Sequence, residues 1–98
     1  MKKMSGKKVI YLKEAELKEV IKEYVRELKS SGVIGEGVSG QGWKRLLYGL
    51  WGGLVYGNRV EGIIVEAKGS RIEVNDCFAF VRVVEWLFGG LDEIVREN

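Results

Sequence analysis

WKRLLYGLWGGLVYG, from Trp43 to Gly57, is the stretch whose reading decides the fold of this 98-residue chain. Trp43, Leu46, Leu47, Leu50, Trp51, Leu54 and Val55 follow helical spacing, with Gly49, Gly52, Gly53 and Gly57 gathered on an adjoining face. The last five residues, GLVYG, equally suit a buried strand. Each glycine inside a helix costs roughly 0.5–1 kcal/mol relative to alanine, so three within one helix call for close backbone packing in return. That tension favours a split, with a short helix over about 42–49 giving way to a strand over about 51–56.

Upstream, Val9 to Leu12 is a short β-branched and aromatic run that suits a first strand. Lys13 to Lys29 then places Leu17, Val20, Ile21, Tyr24, Val25 and Leu28 on one helical stripe, and Lys18, Glu19, Lys22, Glu23, Arg26 and Glu27 on the other. Ser30 to Gln41 reads as a glycine-rich loop. It contains neither GxxxxGK[ST] nor a GxGxxG placed between strand and helix, so a plain connector is preferred to a phosphate cradle. Downstream, Val60–Ala67 and Arg71–Val74 flank Lys68-Gly69-Ser70 as a β-hairpin. With the strand at 51–56, this makes a three-stranded antiparallel meander over roughly 51–80. After Asp76, CFAFVRVVEWLF opens like a strand but suits a helix that stops at Gly89-Gly90, and Leu91–Glu97 reads as a short last helix. The expected fold is one α+β domain over residues 1–98. A long N-terminal helix packs on a small antiparallel sheet, with one or two C-terminal helices.

Composition narrows the chemistry. The chain has no His, no Pro, a single Cys and a net charge of +2. Without imidazole there is no Ser-His-Asp or Cys-His arrangement and no histidine metal ligand, so neither metal nor cofactor is expected. Cys77, in an apolar run, reads as a structural thiol. Glu61, Glu66, Glu73 and Asp76 lie on the proposed hairpin, with Glu61 able to face Glu73. Alternating glutamates more simply form the wet face of a half-buried sheet. Acids that are almost all Glu, with Lys and Arg opposite them, are the compositional pattern of hyperthermophiles, although the lack of Pro argues mildly the other way. Lys2, Lys3, Lys7 and Lys8 make residues 1–8 a basic arm. A lone Cys, no signal-peptide pattern in residues 1–12 and no apolar run near the roughly 20 residues that span a bilayer make a cytoplasmic protein the expectation.

The order helix, GLVYG at Gly53–Gly57, hairpin and IEVNDCFAF at Ile72–Phe80 resembles the N-terminal half of MPN/JAMM domains, over about residues 9–80. The resemblance implies a strand at Gly53–Gly57. Active members carry a Glu three residues before the first glycine of that strand, where this chain has Leu50, and bind zinc through a downstream His-x-His. The resemblance therefore implies a catalytically incomplete scaffold subunit and transfers no catalytic residue.

The expected function is a non-enzymatic interaction or assembly module, forming a homo-oligomer or docking to a protein partner. Ten aromatics are a heavy load for so small a core. Trp43, Leu47, Tyr48, Trp51, Tyr56, Phe80, Trp86 and Phe88 are the interface candidates. The alternative is a nucleic-acid-binding accessory protein that uses Lys44, Arg45 and Arg59 beside stacking rings. Against it, the chain is only mildly basic and lacks a recognisable nucleic-acid motif.

Overall fold

The computed structural model describes residues 8–32, 42–90 and Ile94. Three strands and one helix fall close to where the periodicity puts them. Strand β1 is Val9–Lys13 and helix α1 is Glu14–Ser30, with Leu17, Ile21 and Val25 buried. The Glu16 carboxylate accepts a 2.8 Å bond from the Lys13 backbone N–H at the start of α1, satisfying a donor that the helix leaves free. Strands β2 (Gly62–Ala67) and β3 (Ser70–Val74) form the expected hairpin. Its two-residue turn has positive φ at both Lys68 and Gly69, the geometry that matches the twist of the strands it joins.

The deciding stretch is one continuous helix, α2, from Gly42 to Gly57. The strand expected at 51–56 is therefore absent, and the segment that carries the family resemblance is helical where the family implies a strand. The reason is a balance of burial. A strand would divide Trp51, Leu54 and Val55 between two faces, whereas a helix gathers Leu47, Leu50, Trp51 and Val55 on one buried side. Each such side chain contributes roughly 1.5–3 kcal/mol on burial, which outweighs internal glycines at roughly 0.5–1 kcal/mol apiece. The helix closes with Arg59 in the left-handed region. The Val60 N–H reaches the Val55 carbonyl at 3.0 Å, and the Asn58 side-chain amide donates to the Leu54 carbonyl at 2.8 Å.

The class is α+β, but the sheet is mixed rather than wholly antiparallel. Its order is β1-β2-β3, with β1 parallel to β2 and β2 antiparallel to β3. Two helices separate β1 from β2, and a long crossover of that kind permits a parallel pair where a hairpin does not. Helix α3 (Cys77–Phe88) is helical from its first residue, because the Asp76 carboxylate caps it by accepting the Ala79 N–H at 2.8 Å. It ends at Gly89, in the left-handed conformation. Of the last helix expected over Leu91–Glu97 only Ile94 is described, and it is fully buried. The arm over residues 1–8 and the loop Ser30–Gln41 lie largely outside the described residues.

In the sheet, Ile10, Leu12, Ile63, Val65, Ala67, Ile72 and Val74 share one face, which joins the helices in a single core. The other face carries Tyr11, Ile64, Glu66, Arg71 and Glu73. Trp51 meets Phe80 near the start of α3, while Trp43 lies against Gly90 beyond its end, so α2 and α3 run antiparallel. Among the described residues no helix is long and apolar enough to cross a membrane.

Candidate interaction surface

The helices α1 and α2 are both amphipathic, but only α1 has the outer face that water requires. Its exposed side carries Glu16, Glu19, Glu23, Arg26 and Glu27, with Arg26 and Glu23 paired at 3.1 Å. On α2 the solvent-facing residues are Gly42, Arg45, Gly49, Gly53, Tyr56 and Gly57, beside the half-buried Gly52. From Leu46 to Gly57 no residue is charged. Tyr56 is 79% exposed and leans back along its own helix, its ring 3.8 Å from where a Gly52 Cβ would stand.

Glycine usually lets a neighbouring group come close, and here only one position is used that way. A Cβ on Gly49 would lie 2.7 Å from the Tyr24 hydroxyl, so the tip of this α1 side chain rests directly on the α2 backbone. Burial pushes the Tyr24 phenol above its ordinary pKa. A Cβ at Gly53 or Gly57 would meet nothing within 4 Å among the described residues. A flat, uncharged floor therefore runs beside the projecting Tyr56. At its border Tyr48 meets Phe78 edge-on at 5.6 Å, and Phe78 is itself 64% exposed.

The aromatic and leucine candidates divide into three groups. Leu47, Trp51 and Phe80 are core residues and no part of an outer surface. Trp43, Tyr48 and Phe88 are half-buried against that core. Tyr56 and Trp86 are exposed, and the Lys68 ammonium stands 5.7 Å from the Trp86 ring centre. Phe78, at the head of the aromatic run Phe78–Phe88, and Tyr11, which is not among the candidates, are both largely exposed. The alternation in VIYLK, which puts Tyr11 opposite Ile10 and Leu12, was the available signal for the second of them.

The basic residues do not converge. The Lys44 ammonium sits over the neighbouring Trp43 ring at 5.8 Å, Arg45 is at the start of α2, and Arg59 lies past its far end. At 1.5 Å rise per residue the two arginines are about 20 Å apart along the helix. The carboxylates are equally dispersed. Glu73 stands opposite Ile64 rather than Glu61, because Ile63 pairs with Val74, and Glu66 pairs across the hairpin with Arg71 at 3.6 Å. Among the described residues no three His, Cys, Asp or Glu side chains come together in a metal-binding group. Comparison with protein-family models, with curated proteins and with solved structures finds no match to this chain.

Proposed function

We propose that the chain is a non-enzymatic assembly module that self-associates through the outer face of α2. The observation that carries this reading is the uncharged, glycine-floored strip from Leu46 to Gly57, presented to water with Tyr56 standing on it. A surface helix without charged or strongly polar groups on its wet side is a site for burial against another protein. A second copy suits it because knob and notch share one face. A two-fold axis between Gly53 and Tyr56, with the helices antiparallel, sets the Tyr56 ring of each copy over the open Gly53 of the other. Small residues at such a crossing let two helix backbones come close, and a buried tyrosine is a strong interface anchor. A domain of this size also gains disproportionately from added buried area. The lone Cys77 fits a cytoplasmic setting, where a thiol stays reduced. The MPN/JAMM resemblance contributes nothing, since its strand residues form the end of α2.

The test is sedimentation of the purified chain at micromolar concentration, alongside Gly53→Glu, which places a carboxylate on the open floor. The wild type should sediment above monomer mass, and the variant should lose that association without unfolding. A wild-type monomer, or an unchanged mass in Gly53→Glu, overturns the proposal. Retention on a single-stranded oligonucleotide that falls steeply with added salt favours nucleic-acid binding instead.

A further inference from the structure

We infer that β1 is a second self-association site, at which its open edge pairs antiparallel with β1 of another copy to make one continuous six-stranded sheet. Among the described residues β1 pairs only with β2. The Lys8 carbonyl accepts the Glu61 N–H at 2.8 Å, so Lys8 directs its peptide groups toward β2. Because these directions alternate along a strand, Ile10 and Leu12 do the same, and Val9, Tyr11 and Lys13 turn theirs outward. The Lys13 N–H is already taken by Glu16. Among the described residues that leaves both backbone groups of Val9 and of Tyr11 as the free ladder groups at the edge.

This pattern fixes the register. A two-fold axis at Tyr11 makes Tyr11 and its counterpart a hydrogen-bonded pair, each donating its N–H to the other's carbonyl. The same axis sets Ile10 opposite the second copy's Leu12 on the helix-covered side, where both are only half-buried in one chain. The strand has none of the devices that keep an edge solitary, apart from the lysines at its ends. It contains no proline, no inward-facing charge and no bulge, and its pairing with β2 is unbroken from Val9 to Lys13.

The contact is separate from the α2 face, and Tyr11 tests it cleanly, being 60% exposed and its own partner across the axis. In light-scattering measurements on the full chain, Tyr11→Lys and Tyr11→Glu should each lower the assembly mass to that of the dimer held by the α2 contact, through like-charge repulsion. Thermal unfolding confirms that each variant is folded. An equimolar mixture of the two should restore the wild-type mass by pairing Lys with Glu. An unchanged mass in either variant, or a mixture that fails to recover, overturns the edge contact. If Gly53→Glu lowers the mass and Tyr11→Lys does not, the α2 contact stands and the β1 contact falls; the reverse result removes α2 and keeps β1.

Discussion

Two glycines one helical turn apart in α2 should respond oppositely to the same methyl group. Gly53→Ala adds a Cβ that meets nothing within 4 Å, so its effect in the monomer is the intrinsic helix preference of alanine. That gain is about 0.8–1 kcal/mol, or roughly 4 °C or more in Tm for a domain of this size. Gly49→Ala has the same intrinsic gain, but its Cβ arrives 2.7 Å from the Tyr24 hydroxyl, about 0.7 Å inside the ordinary contact range that begins at 3.4 Å. Tyr24 must give way, and overpacking of this kind costs about 1–3 kcal/mol. The net change runs from near zero to about 2 kcal/mol of destabilisation. Tyr24→Phe removes the offending oxygen and leaves the ring carbon behind it at 3.9 Å, an ordinary contact. In that background Gly49→Ala should recover the full stabilisation.

The measurement is a double-mutant cycle by urea unfolding, at concentrations low enough for the chain to be monomeric, so that association adds nothing to stability. A coupling of about 1 kcal/mol or more between positions 24 and 49 is expected, against none between 24 and 53. If Gly49→Ala stabilises as much as Gly53→Ala in the wild-type background, Tyr24 does not rest on α2. If Gly53→Ala destabilises the monomer, Gly53 is not an open position within a helix, and the reading of the whole stretch fails with it.

Three further outcomes test the scaffold. Gly62→Ala places a Cβ 2.8 Å from the Val74 carbonyl oxygen, a backbone atom on the neighbouring strand. It should destabilise by about 1–3 kcal/mol, seen as a lower urea midpoint at unchanged slope. Asp76→Ala loses the 2.8 Å cap on α3 and should cost about 1 kcal/mol, while Asp76→Asn keeps an acceptor and most of the stability. Burial raises the Tyr24 pKa above the ordinary 10.0 in the folded chain, so the unfolded chain ionises first. The resulting stability is complete below pH 10.0 and is lost as pH climbs through the folded value. Tyr24→Phe should remove that part of the alkaline decline in the urea midpoint.

What could be read from the residues depended on whether local and tertiary signals agreed. In α1 they agreed completely. Charge and apolarity separate on two sides of the helix, and the residues that proved buried, Leu17, Ile21 and Val25, come one turn apart. The hairpin was legible because Gly69 supplies positive φ between two β-branched runs, and the end of α3 because Gly89 marks it; its start, read as a strand, is helical from Cys77 because Asp76 caps it. In α2 the signals conflicted. Local glycine propensity argued for a break, and the deciding quantity, the burial of four side chains on one side, belongs to the assembled core. The direction of β1 was hidden for a related reason, since a strand states its periodicity but not its partner. Size misled the choice of surface residues: Leu47, Trp51 and Phe80 have the most to gain from burial and went inside, while Tyr56 stayed out with the glycines.

Each of Gly49, Gly53 and Gly57 lies on the outer side of α2, yet among the described residues only Gly49 of the three hosts a close neighbour. An interior glycine such as Gly53 forgoes about 0.8–1 kcal/mol relative to alanine, and nothing among the described residues offsets that loss. An alanine there would clash with nothing among the described residues. A surface chosen only for solubility would also carry the Glu and Lys that cover α1. Under the proposed self-association, the absence of both methyl and charge at the same place leaves room for a second backbone or ring. The monomer-stabilising substitution Gly53→Ala should therefore also weaken self-association. That opposition between fold stability and assembly separates an interface glycine from one that is merely tolerated.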